Sequence, residues 1–434
     1  MKPRQYVRQA IILVCIGSIG FESAQCAAID ALLRLTPNSP SDLSSFGADT
    51  SIDADYAGVI SWGDGSAPSA FYLYDRQNGD LLSTVAVTET SNVYRFEAID
   101  ISGDRLLVGS SRNPVGSNEV AGSALLFDIS NPNNPQELLQ LTAPNVAEAA
   151  NFGAQIEFRG NKALIGAYGD SFPTSAPGAA FLYDLSDLNN IRVKTLKPNG
   201  GSTVHDFFGI SLSMNDETAI VGSFSGKVYL FDLTNGEQRA VMQSPGAQYS
   251  HFGESVDISG ERAIVWSQWN AGPGQAFGAA HLYDISDPTA PTYLKTLTGS
   301  TPLQETGYQG RVALEGDWAV LSARSANAAG HFGSVPGAAY AFELSDLSDV
   351  GEYRLLPTET WGGSEFGLSI DIDRTNIVVG AWGDLVSGVR SGAAYVFSVP
   401  EPAALLLFIQ LAAFVSVLGR RNRNCECAAA ALND

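Results

Sequence analysis

The sequence contains an internal repeat, and the period of this repeat constrains the fold more than any other feature. The clearest copy reads FGESVDISGERAIVW over residues 252–266 and, after a polar loop, GAAHLYDISDPTAPTYLKTL over residues 278–297. Seven copies open with a Phe-Gly pair or its equivalent, at Phe46-Gly47, Phe96-Glu97, Phe152-Gly153, Phe208-Gly209, Phe252-Gly253, Gln309-Gly310 and Phe366-Gly367. Six intervals separate the first glycine from the last, so the mean period is about 53 residues. Such a period predicts a solenoid or a propeller.

Each copy contains four short apolar runs with the character of β-strands, and glycine turns such as Ser259-Gly260 connect them. The charged residues make up only 16% of the chain, and the longer apolar stretches lie at the two termini. Four short strands form a meander that cannot bury both of its faces alone, so the units must stack on one another. The sequence therefore predicts an all-β fold built from seven stacked units.

The two ends of the repeat region predict a closed ring. The seventh copy stops at Phe397 and lacks a fourth strand, whereas residues 31–35 resemble the fourth strands of other copies, such as residues 138–141. Pairing of this N-terminal segment with the last blade would close the ring and remove an open sheet edge. We therefore predict a seven-bladed β-propeller of four-stranded blades over residues 29–398, with the N-terminal strand completing the last blade.

The Phe-Gly opening and the small-residue end of the second strand, as in Gly166-Ala167, resemble FG-GAP repeats. These are the propeller repeats of integrin α-subunits and of many bacterial surface proteins. The resemblance covers residues 30–398 and implies the same propeller fold.

Many FG-GAP blades carry a calcium loop of alternating acidic residues, since calcium prefers six to eight oxygen ligands. In this sequence only Asp53 with Asp55, and Asp371 with Asp373, approach that pattern. The turn between the first two strands is otherwise too short and too poor in carboxylates. We therefore predict no metal and no other cofactor, although calcium is the one that the resemblance would allow.

The N-terminus has the order of a secretory signal peptide over residues 1–28. Three basic residues precede an apolar run over residues 10–19, and small residues follow as far as Ala28. The run is shorter than the roughly 20 residues that a membrane-spanning helix needs, so we expect cleavage near Ala28.

The C-terminal region has three parts: a Pro-Glu-Pro motif, an apolar segment over residues 403–418 and a basic cluster. This order resembles the PEP-CTERM sorting signal of Gram-negative bacteria. The resemblance implies an exosortase-type processing enzyme as a partner, and an inner-membrane-anchored precursor that later reaches the cell surface or the extracellular matrix. The predicted processing residues are Pro400, Glu401 and Pro402, and the predicted membrane-stop residues are Arg420, Arg421 and Arg423.

Residues 399–423 are accordingly predicted to form the sorting signal with a transmembrane helix, and residues 424–434 a short cytoplasmic tail. Arginines beyond an apolar segment resist translocation, which is why the tail would stop in the inner membrane. A plain C-terminal membrane anchor is the alternative interpretation.

Charge and cysteine content exclude several classes of function. The formal net charge is −21, from 46 acidic and 25 basic residues, which makes a nucleic-acid partner unsuitable. All four cysteines lie near the termini, outside the predicted propeller: Cys15, Cys26, Cys425 and Cys427. Disulfides and cysteine-rich metal sites are therefore not expected to stabilise the propeller.

No catalytic motif is present, so no catalytic residue is predicted. The sequence has no Gly-x-Ser-x-Gly elbow, and its four histidines occur singly. The candidate ligand-binding loops connect the second and third strands, where an aromatic ring beside a carboxylate can stack on a sugar and accept its hydroxyl hydrogens. They contain Trp62, Asp64, Tyr168, Asp170, Trp266, Trp269, Trp382 and Asp384. The alternative is that Gly-Asp forms a turn and the aromatic ring packs on the next blade.

The predicted function is that of a non-catalytic surface or matrix protein that binds polysaccharide or a protein partner through its propeller loops. One alternative is a carbohydrate-active enzyme, a polysaccharide lyase or hydrolase, whose carboxylates would converge at the centre of the ring. A second alternative is a structural surface-layer or matrix component.

Overall fold

The structure is a computed structural model that contains β-strands and no helix in the residues it describes. It describes residues 27–40, 44–53, 55–63, 68–86, 95–113, 121–145, 151–169, 178–201, 206–246, 251–268, 278–299, 310–323, 337–358 and 363–400. Within these ranges no helix has the length and apolarity to cross a bilayer. Residues 1–26, which belong to the predicted leader, lie outside these ranges. The chain from residue 401 onward also lies outside them, and it contains five of the predicted sorting-signal residues: Glu401, Pro402, Arg420, Arg421 and Arg423.

Seven four-stranded antiparallel sheets form the blades, and in each the strands follow one another from the central channel outward. Blade 1 contains β3 (Phe46–Ile52), β4 (Tyr56–Ser61), β5 (Ala70–Asp75) and β6 (Leu81–Ala86). Blade 2 contains β7 (Ala98–Ser102), β8 (Arg105–Ser110), β9 (Ser123–Asp128) and β10 (Gln136–Leu141). Blade 3 contains β11 (Gln155–Arg159), β12 (Lys162–Ala167), β13 (Ala179–Asp184) and β14 (Arg192–Leu196). Blade 4 contains β15 (Ser211–Met214), β16 (Thr218–Ser223), β17 (Lys227–Asp232) and β18 (Gln238–Gln243).

The remaining blades include the two N-terminal strands. Blade 5 contains β19 (Val256–Ser259), β20 (Arg262–Ser267), β21 (Ala279–Asp284) and β22 (Thr292–Leu297). Blade 6 contains β23 (Gly310–Glu315), β24 (Trp318–Ala323), β25 (Ala338–Glu343), β26 (Gly351–Leu356) and, outside them, β1 (Ala27–Asp30). Blade 7 contains β27 (Phe366–Ile372), β28 (Asn376–Ala381), β31 (Ala393–Ser398) and β2 (Leu33–Leu35). A small hairpin of β29 (Leu385–Val386) and β30 (Val389–Arg390) lies between β28 and β31.

The N-terminal segment closes the ring, which confirms the predicted closure. Strand β2 pairs antiparallel with β31, where Leu33 lies opposite Val396 and Leu35 opposite Ala394. The sequence did not predict β1, which pairs in parallel with β26 and adds a fifth strand to blade 6. Because β1 and β2 are consecutive, the N-terminal segment joins the outer edges of two neighbouring blades.

A buried ion pair holds β2 on the last blade. The guanidinium Nη2 of Arg34 donates to Asp384 Oδ2 at 3.0 Å and to the carbonyl oxygen of Leu385 at 2.5 Å. The hydroxyl of Tyr395 donates to the same carboxylate oxygen at 2.5 Å. Asp384 is only 2% exposed. The Asp384 carboxylate therefore links β2 to β31, the third strand of blade 7.

The hydrophobic core is divided among the interfaces between blades. In the described part of the chain, seven clusters of buried residues each join two neighbouring blades, and one of them joins blade 7 to blade 1. That cluster contains Leu35, Phe46 and Tyr74 together with Val378 and Val396. Apolar side chains on both faces of each blade are thus removed from water. The burial of this surface between blades, and not the pairing within one sheet, stabilises the ring.

The Phe-Gly pair forms a corner at which each blade meets the preceding one. Phe152 is fully buried and packs against Phe181 and Tyr183 of its own blade, with ring centroids 5.7 and 6.1 Å apart. Gly153 has a φ of +88°, and a Cβ there would lie 2.3 Å from the carbonyl oxygen of Ser123 in the preceding blade. Only glycine fits this backbone conformation and this close approach.

Candidate functional site

A central channel of about 1170 Å³ runs through the ring. Its walls are the innermost strands of the seven blades: β3, β7, β11, β15, β19, β23 and β27. Successive side chains of a strand point to opposite sides, so alternate residues of each inner strand face the channel.

Halfway along the channel, one residue from each inner strand forms a ring that we call the waist. These residues occupy equivalent positions in the pairing of the first and second strands: Ser51, Asp100, Glu157, Ser213, Asp257, Ala313 and Asp371. Four of them carry a carboxyl group. The converging carboxyl groups that an enzyme on this scaffold would need are therefore present.

Three of the waist carboxylates accept backbone hydrogen bonds from the next blade. Asp100 accepts from the N–H of Phe158 at 2.5 Å, Asp257 from Leu314 at 2.6 Å and Asp371 from Ile52 at 2.8 Å. An innermost strand has no neighbouring strand on its channel side, so these N–H groups need another acceptor. These three carboxylates thus have a structural role, because they connect the inner edges of neighbouring blades.

Glu157 is the exception among the waist carboxylates. No hydrogen bond to its carboxyl group occurs in the described part of the chain, and its longer side chain extends into the channel. Burial raises the pKa of Glu157 well above its usual range, and the charges of Asp100, Asp257 and Asp371 raise it further, while Arg159 acts in the opposite direction. Glu157 is therefore the waist carboxyl group that is free to contact a ligand.

The other channel acids also hold protons more tightly than usual. Burial raises the pKa of Asp100 to about 7 and that of Asp257 to about 6, although backbone and serine hydrogen bonds oppose the shift. The pKa of Asp49, which lies one layer nearer the Phe-Gly end, is also raised to about 6 by burial, and Arg311 opposes this effect. Clustered carboxyl groups of this kind are partly protonated near neutral pH.

These raised pKa values predict that stability decreases as the pH rises. A carboxyl group with a higher pKa in the folded state than in the unfolded state stabilises the fold most below its unfolded pKa, here 3.8, and this contribution is lost as the pH rises through the folded pKa of about 7 for Asp100. We expect the free energy of unfolding of Asp100→Asn to decline less than that of the wild type between pH 4 and pH 7, by about 2 kcal/mol. Urea denaturation at several pH values measures this difference.

Asparagine keeps an oxygen that accepts the N–H of Phe158, so the backbone contact survives in this variant. The matched control is Asp232→Asn, because the Arg239 side chain and two backbone N–H groups lower the pKa of Asp232 to about 2. That variant should lose stability at neutral pH and not at acidic pH. Identical pH profiles for Asp100→Asn and the wild type would contradict the prediction.

Aromatic side chains surround one end of the channel, which we call the mouth. Trp62, Tyr168 and Phe224 each follow the second strand of their blade, and Phe207 precedes a Phe-Gly pair. All four line the channel cavity. Phe207 lies 6.3 Å from Tyr168 and 5.6 Å from Phe224, measured between ring centroids. The mouth thus presents aromatic surface from blades 1, 3 and 4.

Further side chains support the mouth from behind and from the side. Trp382 packs edge-on against Trp62 at 5.5 Å, and His251 lies 4.6 Å from Phe224. The guanidinium of Arg95 lies 4.6 Å above the Trp62 ring, and its Nε donates to Glu97 Oε1 at 2.7 Å. Cation–π contact and the ion pair together fix the orientation of the Trp62 ring.

The structure separates the predicted loop residues into three groups. Trp62, Tyr168 and Trp382 come together at the mouth. Trp266 and Asp384 are buried, at 1% and 2% exposure, and they pack the ring instead of facing a ligand. The indole of Trp266 fills the space above Gly278 and Gly310, and the carboxylate of Asp384 holds β2. The others lie outside the described residues: Asp64, Asp170 and Trp269.

The waist and part of the mouth were not predicted from the sequence. Asp100, Glu157 and Asp257 each follow a Phe of the repeat by four or five residues, and this recurring acidic position was the available signal. Phe207 and Phe224 carried no such signal, since a single aromatic residue beside a strand is equally consistent with packing.

The acidic residues considered for calcium make protein contacts instead. Asp53 accepts the N–H of Gly103 at 2.6 Å, and Asp373 pairs with Arg76 at 2.7 Å. The backbone carbonyl of Asp55 accepts the N–H of Arg76 at 3.1 Å, and the residue is exposed. Within the described ranges, no three acidic, histidine or cysteine side chains are grouped so as to hold a metal ion.

Comparison with known families identifies the repeat. Residues 136–183 and 351–397 match the profile of the FG-GAP repeat family. The chain contains two FG-GAP repeats. Both matches begin at the fourth strand of one blade and end in the third strand of the next. The propeller itself begins and ends in the same way, because β2 is a fourth strand and β31 is a third strand. The predicted resemblance is thus confirmed for these two copies.

Comparison with solved structures supports the fold alone. A chain in a crystal structure of a mitotic checkpoint complex is similar, with a TM-score of 0.54 and 10% identity over 91% of this chain and 98% of that chain. No curated protein sequence matches the chain significantly. The function must therefore be inferred from the channel itself.

Proposed function

We propose that this protein is a non-catalytic, exported surface or matrix protein that binds an extracellular polysaccharide or protein at the mouth of its channel. The observation that carries the proposal is the group of aromatic rings from three blades around one cavity. Aromatic planes bind the apolar faces of sugars and of protein side chains, and Arg95 and Glu97 beside them supply hydrogen bonds that orient a ligand.

The termini supply the proposed location. A leader over residues 1–28, whose predicted end overlaps the first two residues of β1, and a sorting signal after β31 would carry the propeller across the inner membrane and hold it there until an exosortase-type enzyme processes the tail. Pro400 lies two residues after the end of β31, so a cut near the Pro-Glu-Pro motif would leave the ring complete. Under this proposal, the mature propeller is displayed at the cell surface or in the matrix.

Removing aromatic rings from the mouth is expected to weaken binding. The ligand is first identified by applying the full chain to an array of bacterial polysaccharides. We expect Trp62→Ala and Phe224→Ala each to weaken the binding of that ligand about tenfold, because each removes a large contact surface from the site.

The matched control for this test is Tyr293→Ala, which removes an aromatic ring that is 43% exposed on the outer strand of blade 5. It should leave the affinity unchanged. Thermal melts confirm that all variants are folded. If the control weakens binding as much as the mouth variants, the ligand binds elsewhere and the proposal is wrong.

A carbohydrate-active enzyme is the second candidate, and the four waist carboxyl groups are the observation that favours it. Glycoside hydrolysis generally needs two carboxyl groups, one that gives a proton and one that acts as nucleophile or base. Three of the four waist carboxylates accept backbone N–H groups, which leaves Glu157 without a second uncommitted partner. Hydrolysis or elimination of an array polysaccharide that disappears in Glu157→Gln would establish the enzyme and exclude the non-catalytic proposal.

A further inference from the structure

The charge of the channel identifies a class of ligand. Four of the five arginines that line the channel pair with carboxylates outside the waist: Arg95 with Glu97 at 2.7 Å, Arg76 with Asp373 at 2.7 Å, Arg159 with Asp216 at 3.0 Å and Arg374 with Glu315 at 3.5 Å. Arg311 lies near Asp49, one layer above the waist. Among the described residues, no cation forms an ion pair with a waist carboxylate. The waist carboxyl groups thus have no ion-pair partner within the part of the chain that the structure describes.

The mouth and the waist lie at different depths of the same cavity. Tyr168 follows the end of β12, whereas Glu157 lies opposite Leu164 within the same sheet. Four residues of strand separate the two levels, which is about 13 Å at the rise of a β-strand. A compact ion at the waist does not reach the aromatic rings, but a linear ligand that enters through the mouth contacts both levels.

We propose that the ligand is a cationic glycan, a chain of amino sugars with free ammonium groups, whose sugar rings stack on Trp62 and Phe224 at the mouth and whose ammonium groups approach Glu157 at the waist. This inference rests on the proposed binding function and specifies its ligand. The aromatic rings favour a sugar chain, and the unpaired carboxyl groups favour positive charge. An uncharged sugar would leave the repulsion among these groups in place, whereas an ammonium group relieves it.

Proton release on binding follows from the same arrangement. A cation in the channel favours the ionised carboxylates, so the waist loses protons when the ligand binds near pH 6. The groups that face Glu157 are Asp100 on β7, Asp257 on β19, Asp371 on β27 and Arg159 on its own strand. Affinity should therefore rise between pH 5 and pH 6, where these acids begin to ionise and the sugar ammonium groups still carry their charge. Calorimetry in two buffers of different ionisation enthalpy counts the released protons.

The decisive experiment measures the affinity of the full chain for three probes: a glucosamine oligomer, its N-acetylated counterpart of equal length, and polylysine. We expect the glucosamine oligomer to bind at least about tenfold more tightly than the acetylated one, because a hydrogen bond from an ammonium group to a carboxylate is stronger than one from a neutral amide. Glu157→Gln should remove this preference. The matched control is Glu137→Gln on the exposed outer strand β10, which should retain it.

Each alternative result overturns the inference. If the acetylated oligomer binds equally well and only Trp62→Ala weakens its binding, the mouth binds neutral glycans. In that case the proposed function stands, and the inference of a cationic ligand is wrong. If polylysine binds and the glucosamine oligomer does not, the channel recognises a basic protein. If Glu157→Gln and Glu137→Gln behave alike, or if neither oligomer binds, the waist takes no part in recognition.

Discussion

Replacing Asp384 with alanine is expected to lower the free energy of unfolding by about 3 kcal/mol, because it removes one partner of a buried ion pair. The carboxylate receives hydrogen bonds from Arg34 on β2 and from Tyr395 on β31. Without it, the Arg34 guanidinium remains partly buried, at 22% side-chain exposure, and loses its ion pair with this carboxylate. Urea denaturation of the full chain measures the loss.

The matched control is Asp216→Ala, which breaks an ion pair of similar length on the surface. Its partner is Arg159 at 3.0 Å, and the two side chains are 86% and 52% exposed. Exposed pairs contribute about 0–1 kcal/mol, so this variant should be nearly as stable as the wild type. Limited proteolysis adds a local readout, since a loosened β2 in Asp384→Ala should be cut ahead of residue 36. Equal losses in the two variants would show that Asp384 does not secure the closing strand.

Substituting alanine for Gly153 is expected to have the largest effect on folding. The new Cβ would lie 2.3 Å from the carbonyl oxygen of Ser123, which belongs to the backbone of the neighbouring blade and cannot rotate away. The residue also has a φ of +88°, which residues with a side chain rarely adopt. We expect a loss of about 4 kcal/mol or a failure to fold, measured by urea denaturation and by the yield of soluble protein.

Gly160→Ala separates the two causes of this effect. Gly160 also has a positive φ, of +59°, but nothing lies within 4 Å of a Cβ at this position. Only the conformational cost applies there, about 1–2 kcal/mol. If both glycine variants lose the same stability, the close contact between blades contributes nothing and the interpretation of the Phe-Gly corner is wrong.

The repeat made the architecture predictable from the sequence. A Phe-Gly corner needs a buried aromatic ring and a residue without Cβ, so the pair is visible in five of the seven copies. The missing fourth strand of the last copy indicated the closing role of residues 31–35. By contrast, β1 was not predictable, since residues 27–30 resemble the end of a leader and pair in parallel with a strand that is more than 300 positions away.

The candidate site was less predictable because it combines single residues from different blades. Trp62 and Trp266 look alike in the sequence, yet one lies at the mouth and the other packs between blades 5 and 6. Asp384 follows a Trp-Gly pair as a ligand-binding residue would, but an arginine from the N-terminal strand neutralises it. The channel acids occupy positions at which serine and alanine also occur, so their convergence becomes visible only when the ring is closed.

The pairing of β2 with β31 has a consequence for the order of assembly. Leu33 and Val396 are neighbours in one sheet, although almost the whole propeller separates them along the chain. Loop closure over such a distance is slow, and a nascent chain emerges from its N-terminal end, so β2 has no partner until the final repeat has been synthesised. The ring therefore closes only after its last strand has been translated.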